Sequence, residues 1–299
     1  MSKHGTIRRY TLEIEKIRRG HFPSFQDIKN YLFEHGFEIG DRTIQRDIEQ
    51  IRFEFGIEIR YNRDKNGYYL DYETSLNIES FFRFLEIVNT AELLTESLLE
   101  SKDALKHISF DTGGGLKGVE NLKPLLVAIK NNRKISFTHY NFQTEISREF
   151  NLNPYLLKEY QNRWYVVGVV AGFNEFRTFG IDRIENLEIK AETFKPDKSR
   201  NPIEIFNQTI GLIYTENPVQ KIVLSFTPIQ GKYIKTLPFH SSQKVLIDDE
   251  KECRISLEVV PNYELTQQIL KHGETIKVVE PQWLAEQIKG ILNRSLEKY

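Results

Sequence analysis

The chain has 299 residues, 39% of them apolar and 28% charged, with 20 Phe and 14 Tyr. That is aromatic bulk for several cores and excludes wholesale disorder, while a single cysteine, Cys253, excludes a disulfide framework or a multi-cysteine metal site. With 41 basic and 42 acidic residues the formal charge is −1, so nucleic-acid binding must rest on local patches rather than on net charge.

No apolar run approaches the ~20 residues of a membrane span. The segment MSKHGTIRRYTLEIEKIRRG lacks the apolar core of a signal peptide. The expectation is a soluble, cytoplasmic protein with no membrane partner. The same segment carries a basic patch, Lys3, Arg8, Arg9, Lys16, Arg18 and Arg19, against only Glu13 and Glu15.

Residues 6–19 read as a helix with Ile7, Tyr10, Leu12, Ile14 and Ile17 as its apolar positions, closed by Gly20. Ser24 and Asp27 form a short-armed capping box for a second helix that stops at Gly36. Asp41 is the expected N-cap of a third helix to about Phe55, with Ile44, Ile48, Ile51 and Phe55 as one buried stripe. IEIRY and GYYLDY, joined by NRDKN, are a hairpin. Helix, helix, turn, helix and ribbon within ~70 residues is the layout of a winged helix-turn-helix. Opposite the isoleucine stripe the third helix presents Arg42, Thr43, Gln45, Arg46, Glu49 and Gln50. Arginine and glutamine make bidentate contacts to base edges, so Arg42, Gln45 and Arg46 are the expected base readers, with Thr43 and Gln50 beside them. Arg8 on the first helix and Arg63 and Lys65 on the wing are the expected phosphate contacts.

Residues 77–106 read as a long amphipathic helix with Phe81, Phe82, Leu85 and Leu94 among its apolar positions. Its apolar surface exceeds local need, which points to a homodimer on a two-fold operator. HISFDTGGGLKG then reads as a flexible joint, and 119–132 as a helix with Leu122, Leu125, Leu126 and Ile129. From Lys134 the period is two. KISFTHY, REFNLNPYLL, RWYVVGVVAG, EFRTFGI and ENLEIKAE are five short strands, suggesting a small Sm/SH3-like β-barrel. FKPDKSRNP is a linker, and the remainder alternates as β-α-β-β-α-β with a closing helix, a ferredoxin-like α/β module. The fold class expected is α+β multidomain: 1–73 winged helix-turn-helix, 74–118 helical linker, 119–197 barrel, 215–299 C-terminal module.

Four features that suggest reactive sites dissolve on inspection. Asp111-Thr112-Gly113 spells the aspartic-protease tripeptide, but that chemistry needs two facing aspartates and the flanks here are polar and glycine-filled. Gly113, Gly114, Gly115 and Gly118 lack the Gly-Lys-Ser/Thr of a phosphate loop. The seven histidines form no HxxxH or HxH pair, and Cys253 reads as a small apolar residue on a strand. No enzyme, cofactor or metal is expected. In the barrel region Arg133, Lys134, Arg148, Lys158, Arg163, Arg177 and Arg183 are interleaved with Tyr140, Tyr155, Trp164, Tyr165, Phe176 and Phe179. Cations with aromatics are what single-stranded nucleic-acid sites use, although Trp164 and Phe179 read as barrel filling.

Beyond these readings, KISFTHY, Asn153-Pro154-Tyr155, Arg163-Trp164-Tyr165-Val166 and FRTFGIDRI make the whole chain resemble the WYL-domain transcriptional regulators, with a C-terminal extension of WCX type. The naming triplet is Trp-Tyr-Val here, and Gly180 stands where the family commonly has a bulkier residue. The resemblance implies an Sm-like barrel that senses a nucleic-acid fragment or other phosphate-bearing ligand, in a homodimer that binds a double-stranded DNA operator. It makes Tyr140, Arg148, Arg163, Arg177, Asp182 and Arg183 the effector candidates, Asp182 as an orienting partner for a neighbouring arginine. Arg177 and Arg183, six apart, share a face if their strand runs unbroken. The alternative function is an oligonucleotide-sensing accessory protein that regulates a partner protein rather than a promoter.

Overall fold

The computed structural model describes residues 3–75, 78–100, 117–197, 199–215 and 217–299. The Asp111-Thr112-Gly113 tripeptide, the glycine run 113–115 and residues 101–106 lie outside the described residues, as does the side chain of Leu94. The chain divides into two units, Met1–Thr112 and Gly113–Tyr299, and both combine helices with sheet, the mixed architecture expected.

The first unit contains α1 (Lys3–Arg19), α2 (Phe25–Glu34), α3 (Asp41–Phe55), a hairpin of β1 (Ile59–Asn62) and β2 (Gly67–Leu70), and α4 (Ile78–Glu100). The Ser24–Asp27 capping box forms in both directions. Gly56 closes α3 at φ 65°, in the left-handed region where glycine has no Cβ to clash. The cap of α3 is Gly40, and Asp41 instead occupies the first turn, where Lys29 Nζ lies 2.6 Å from its carboxylate. A carboxylate there meets the positive end of the helix dipole, so it serves the helix start without capping it. Ile44, Ile48 and Ile51 are buried against Ile14, Ile28 and Leu32, with Phe55 packed beside them. Each fully buried side chain of this size is worth about 1.5–3 kcal/mol.

Two expectations about surfaces change. Ile78, Phe81 and Leu85 of α4 are buried in this same core, with Phe82 packed against it. Local packing therefore uses the apolar stripe that the dimer surface was drawn from. Arg9, counted in the basic patch, is 2% exposed. It donates through Nε and Nη2 to Asp47 on α3, the latter bond 3.0 Å long. A guanidinium leaves water at least cost against an anionic partner, and α3 supplies one.

The second unit opens with a 3-10 turn and α5 (Leu122–Lys130), followed by β3 (Arg133–Asn141), β4 (Ile146–Tyr160), β5 (Arg163–Val170), β6 (Phe176–Gly180) and β7 (Ile184–Thr193). Leu125 of α5 is buried, whereas Leu126 is exposed. The five strands form an antiparallel sheet in the order β6–β5–β4–β3–β7, and no ladder joins its two edges among the described residues. Its core gathers Leu125, Ile135, Phe137, Leu152, Val166 and Phe179, with Trp164 packed on it, so both aromatics assigned to filling do fill. A short helix, α6 (Pro202–Asn207), begins at the last proline of the expected linker, capped by Asn201, and buries Phe206 against Val167 and Phe176.

Then come β8 (Gln220–Phe226), α7 (Pro228–Thr236), β9 (Lys244–Asp248), β10 (Cys253–Val259), α8 (Tyr263–Lys271), β11 (Ile276–Glu280) and α9 (Gln282–Leu296). The β-α-β-β-α-β order is present, in a sheet ordered β11–β8–β10–β9. Cys253 is fully buried within it, and burial pushes its thiol up. The segment before β8 is held to α8: Glu264 Oε1 accepts from the amides of Leu212 and Ile213, both at 3.1 Å.

Glu13, one turn beyond Arg9 on α1, is also fully buried, and neither carboxyl oxygen has a hydrogen-bond partner. Burial, then the Asp47 charge, raises its pKa well above the carboxylate range, against the pull of Arg9. A carboxyl raised in the folded state stabilises fully below its unfolded value of about 4.3, and the contribution is lost as pH climbs to the folded value. Glu13→Gln is expected to raise the melting temperature of the first unit by several degrees at neutral pH and hardly at all near pH 4, as thermal unfolding at the two pH values would show.

Candidate functional site

The outer side of α3 follows from its inner side. With Ile44, Asp47, Ile48 and Ile51 buried, the helical period leaves Arg42, Gln45 and Arg46 exposed and Thr43 half-buried. Gln50 is tied inward, its Oε1 accepting from the Tyr10 hydroxyl at 2.5 Å. Arg63 and Lys65 are exposed on the hairpin, and Arg8 is half-buried on α1. The hairpin is fixed to the loop before α2. Tyr68 N–H donates to the Pro23 carbonyl at 2.9 Å, and Lys65 Nζ stands 4.0 Å from the centre of the Phe22 ring. Gly67 lies so close to the Phe22 backbone that a Cβ there would overlap it.

In the second unit, a cavity of about 450 Å³ opens between the β3–β4 hairpin and β6. Arg148, Arg177 and Arg183 line it, with His139, Phe142, Thr178 and Phe179 among its other walls. Three of the six effector candidates are thus brought together. Tyr140 is set beside the cavity, its ring meeting that of Phe142 edge-on at 5.7 Å. Arg163 and Asp182 are not in the lining. Asp182 stands between two arginines, 3.7 Å from Arg183 Nε and 3.9 Å from Arg163 Nη1.

Arg177 and Arg183 do not share a cavity by strand alternation. β6 ends at Gly180, and the 3-10 turn Ile181–Arg183 carries Arg183 back to the same wall. Gly180 precedes the turn. At φ −65° any residue could adopt its backbone, but a Cβ would stand 2.5 Å from Asp182 Oδ1 and 2.9 Å from Arg183 Nη2. Two exposed rings support the cations: the Arg183 guanidinium lies 4.6 Å from the Phe142 ring and that of Arg177 4.3 Å from Phe173. Such pairs keep an arginine extended yet leave its N–H edges available to an anion.

Sequence reading missed His139 and Phe142. His139 faces Arg148 across the β3–β4 ladder and Ile184 across the β3–β7 ladder. That register is the feature that would have placed it with the arginines, since directly opposed residues share a sheet face. Its ring packs among Phe137, Phe150 and Phe179. Burial, and after it the Arg183 charge, depresses the imidazole to about 4, while Asp182 and the Gly180 backbone oppose the shift.

A family model for the WYL domain matches residues 120–189 and one for the WCX domain matches residues 218–296. Comparison with curated proteins found no match. Among solved structures, the chain is similar to proteasome accessory factor B/C (PafBC) of Arthrobacter aurescens, at 17% identity and a TM-score of 0.33, over 96% of this chain and 46% of that one. It is also similar to a CRISPR Cas-related protein, at 13% identity and a TM-score of 0.39, over 99% of this chain and 85% of that one. The chain thus spans less than half the length of the PafBC chain. Among the described residues, no helix is long and apolar enough to cross a membrane.

The depressed imidazole has a measurable consequence. The unfolded chain takes up a proton near pH 6.5, whereas folded His139 resists it until about 4. The stability it contributes is present above the unfolded value and is lost as pH falls through that window. NMR titration is expected to give His139 a midpoint near 4. His139→Phe should flatten the acid-side loss of stability of the second unit between those pH values, as measured by denaturant unfolding.

Proposed function

This chain is a WYL- and WCX-domain protein, and from that premise we propose that it is a ligand-responsive, DNA-binding transcriptional regulator rather than an enzyme. The observation that carries the reading is a cavity lined by three arginines in the same chain as a helix that turns Arg42, Gln45 and Arg46 outward.

In this reading α1–α3 and the hairpin are a winged helix-turn-helix with α3 in the major groove. Arg42, Gln45 and Arg46 address base edges, with Thr43 beside them, and Gln50 contributes only the amide nitrogen that its bond to Tyr10 leaves over. Arg8, Arg63 and Lys65 lie along phosphates. The five-stranded sheet acts as the small sensing barrel and the last module as a ferredoxin-like extension. The effector is a nucleic-acid fragment or other phosphate-bearing ligand held by Arg148, Arg177 and Arg183, with Tyr140, Arg163 and Asp182 at the margin. A homodimer on a two-fold operator would double the short readout of one winged helix.

Duplex binding measured against salt tests this. The affinity of a DNA regulator should fall steeply with salt as counterions are released, and an affinity indifferent to salt would overturn it. Arg46→Ala should cost about 1–3 kcal/mol on the preferred sequence and relax discrimination there. Lys65→Ala, which removes a cation already braced on Phe22, should weaken all sequences alike and flatten the salt slope by about one.

A further inference from the structure

The outward face of α3 ends on an apolar side chain. Phe53 is 91% exposed, more than any other large apolar side chain among the described residues except the terminal Tyr299. Its phase on the helix is fixed from the opposite side. Ile51 is buried, and the Phe55 ring packs 4.8 Å from that of Phe81 on α4 before Gly56 closes the helix. At about 100° per residue, Phe53 falls with Arg42, Arg46 and Glu49 inside an arc of about 60°, opposite Ile44 and Ile51.

Isolated apolar side chains are common on protein surfaces and mean little singly. This one is the last member of a line. Arg42, Gln45, Arg46 and Glu49 stand at i, i+3, i+4 and i+7, the spacing with which a helix in the major groove reads bases, and Phe53 adds i+11. From Arg42 to Phe53 the line runs about 16 Å at 1.5 Å per residue, the length of about five base-pair steps of 3.4 Å. The exposed guanidiniums of Arg42 and Arg46 complement the charge of a duplex. A carboxylate at Glu49 would be repelled by phosphate but can accept from the amino group of cytosine, so the second half of the line suits base edges rather than backbone.

We propose that Phe53 reads thymine: its ring packs on the 5-methyl group of a thymine at the end of the site farthest from the base that Arg42 addresses. The proposal rests on the DNA-binding reading of α3. The thymine methyl is the one apolar group in the major-groove code, whose other features are hydrogen-bond donors and acceptors. A phenyl ring has no donor or acceptor of its own, so on a base-reading face it has that one partner to select. Packing ring on methyl also removes apolar surface from water on both sides, a gain that does not depend on counterion release.

The test is a selection of bound duplexes from a randomised pool with the full chain, followed by affinity measurements on the site that wild type enriches. That site should carry a thymine at one end of the readout. Phe53→Ala should enrich the same core with that thymine lost, and Phe53→Leu, which keeps an apolar contact, should retain it. Replacing the thymine by deoxyuridine, which lacks only the methyl, should weaken wild type about fourfold, the worth of one buried methyl. The same replacement should leave Phe53→Ala unchanged. Because the side chain lies in water, Phe53→Ala should melt like wild type. An equal loss from deoxyuridine in wild type and Phe53→Ala would overturn the proposal, as would an unaltered thymine preference in Phe53→Ala. Light scattering covers the rival occupant, a second copy of the chain. If Phe53→Ala loses self-association while its sequence preference stands, Phe53 belongs to a contact between copies and the proposal is overturned. Failure of the underlying reading looks different. If wild type enriches no sequence, α3 does not read bases and both fall. If Arg46→Ala relaxes the selected core while Phe53→Ala alters nothing, the DNA reading stands and only the role of Phe53 is lost.

Discussion

A guanidinium cannot shed a proton to relieve its charge, so the fold fixes its position with a carboxylate, a carbonyl oxygen or the face of an aromatic ring. Much of this protein is arranged around that constraint. Arg9 is buried against Asp47. Arg18, Arg177, Arg183 and Arg200 each lie over a phenylalanine ring, on Phe82, Phe173, Phe142 and Phe176 in turn. The two solutions have different outcomes. A carboxylate partner neutralises the cation and makes it structural, whereas a ring partner fixes its position and leaves its charge available.

In the first unit the carboxylate solution links α1 to α3. Removing one partner of such a pair costs about 3–5 kcal/mol, so the rotation of α3 about its own axis is strongly set. That rotation decides which side chains face outward, and Arg42, Gln45 and Arg46 follow from it. Glu13 shows the opposite case, a second buried carboxyl whose pKa burial and the Asp47 charge raise despite the pull of Arg9. In the second unit Arg177 and Arg183 lie on rings at the cavity, and their charge stays available there.

Much of this was legible in the sequence because helix and strand periods are local. The isoleucine stripe of α3, the capping box at Ser24 and the five strands from Arg133 to Thr193 were all readable from spacing. What failed was whatever a distant residue decides. Arg9 reads as a surface cation until Asp47, far along the chain, is packed against it. Phe81 and Leu85 read as spare apolar surface until the helices they complete are in place. His139 joins Arg148 only through strand register, and Arg183 reaches the cavity through a turn that alternation does not anticipate. Gly180 was visible as a departure from the family pattern, but its nearness to the ends of the Asp182 and Arg183 side chains needed the third dimension.

Thr178, a wall of the cavity, donates through Oγ1 to the carbonyl of Leu212 at 3.0 Å. The amide of that same leucine is gripped from the other side by Glu264 on α8. One peptide segment is therefore clasped by the sheet and by the C-terminal module together. If Thr178 shifts by an ångström, either its bond breaks or Leu212 travels with it and drags on the first turn of α8. The two layers are geared, and the gear tooth is a single residue in a stretch that belongs to neither sheet.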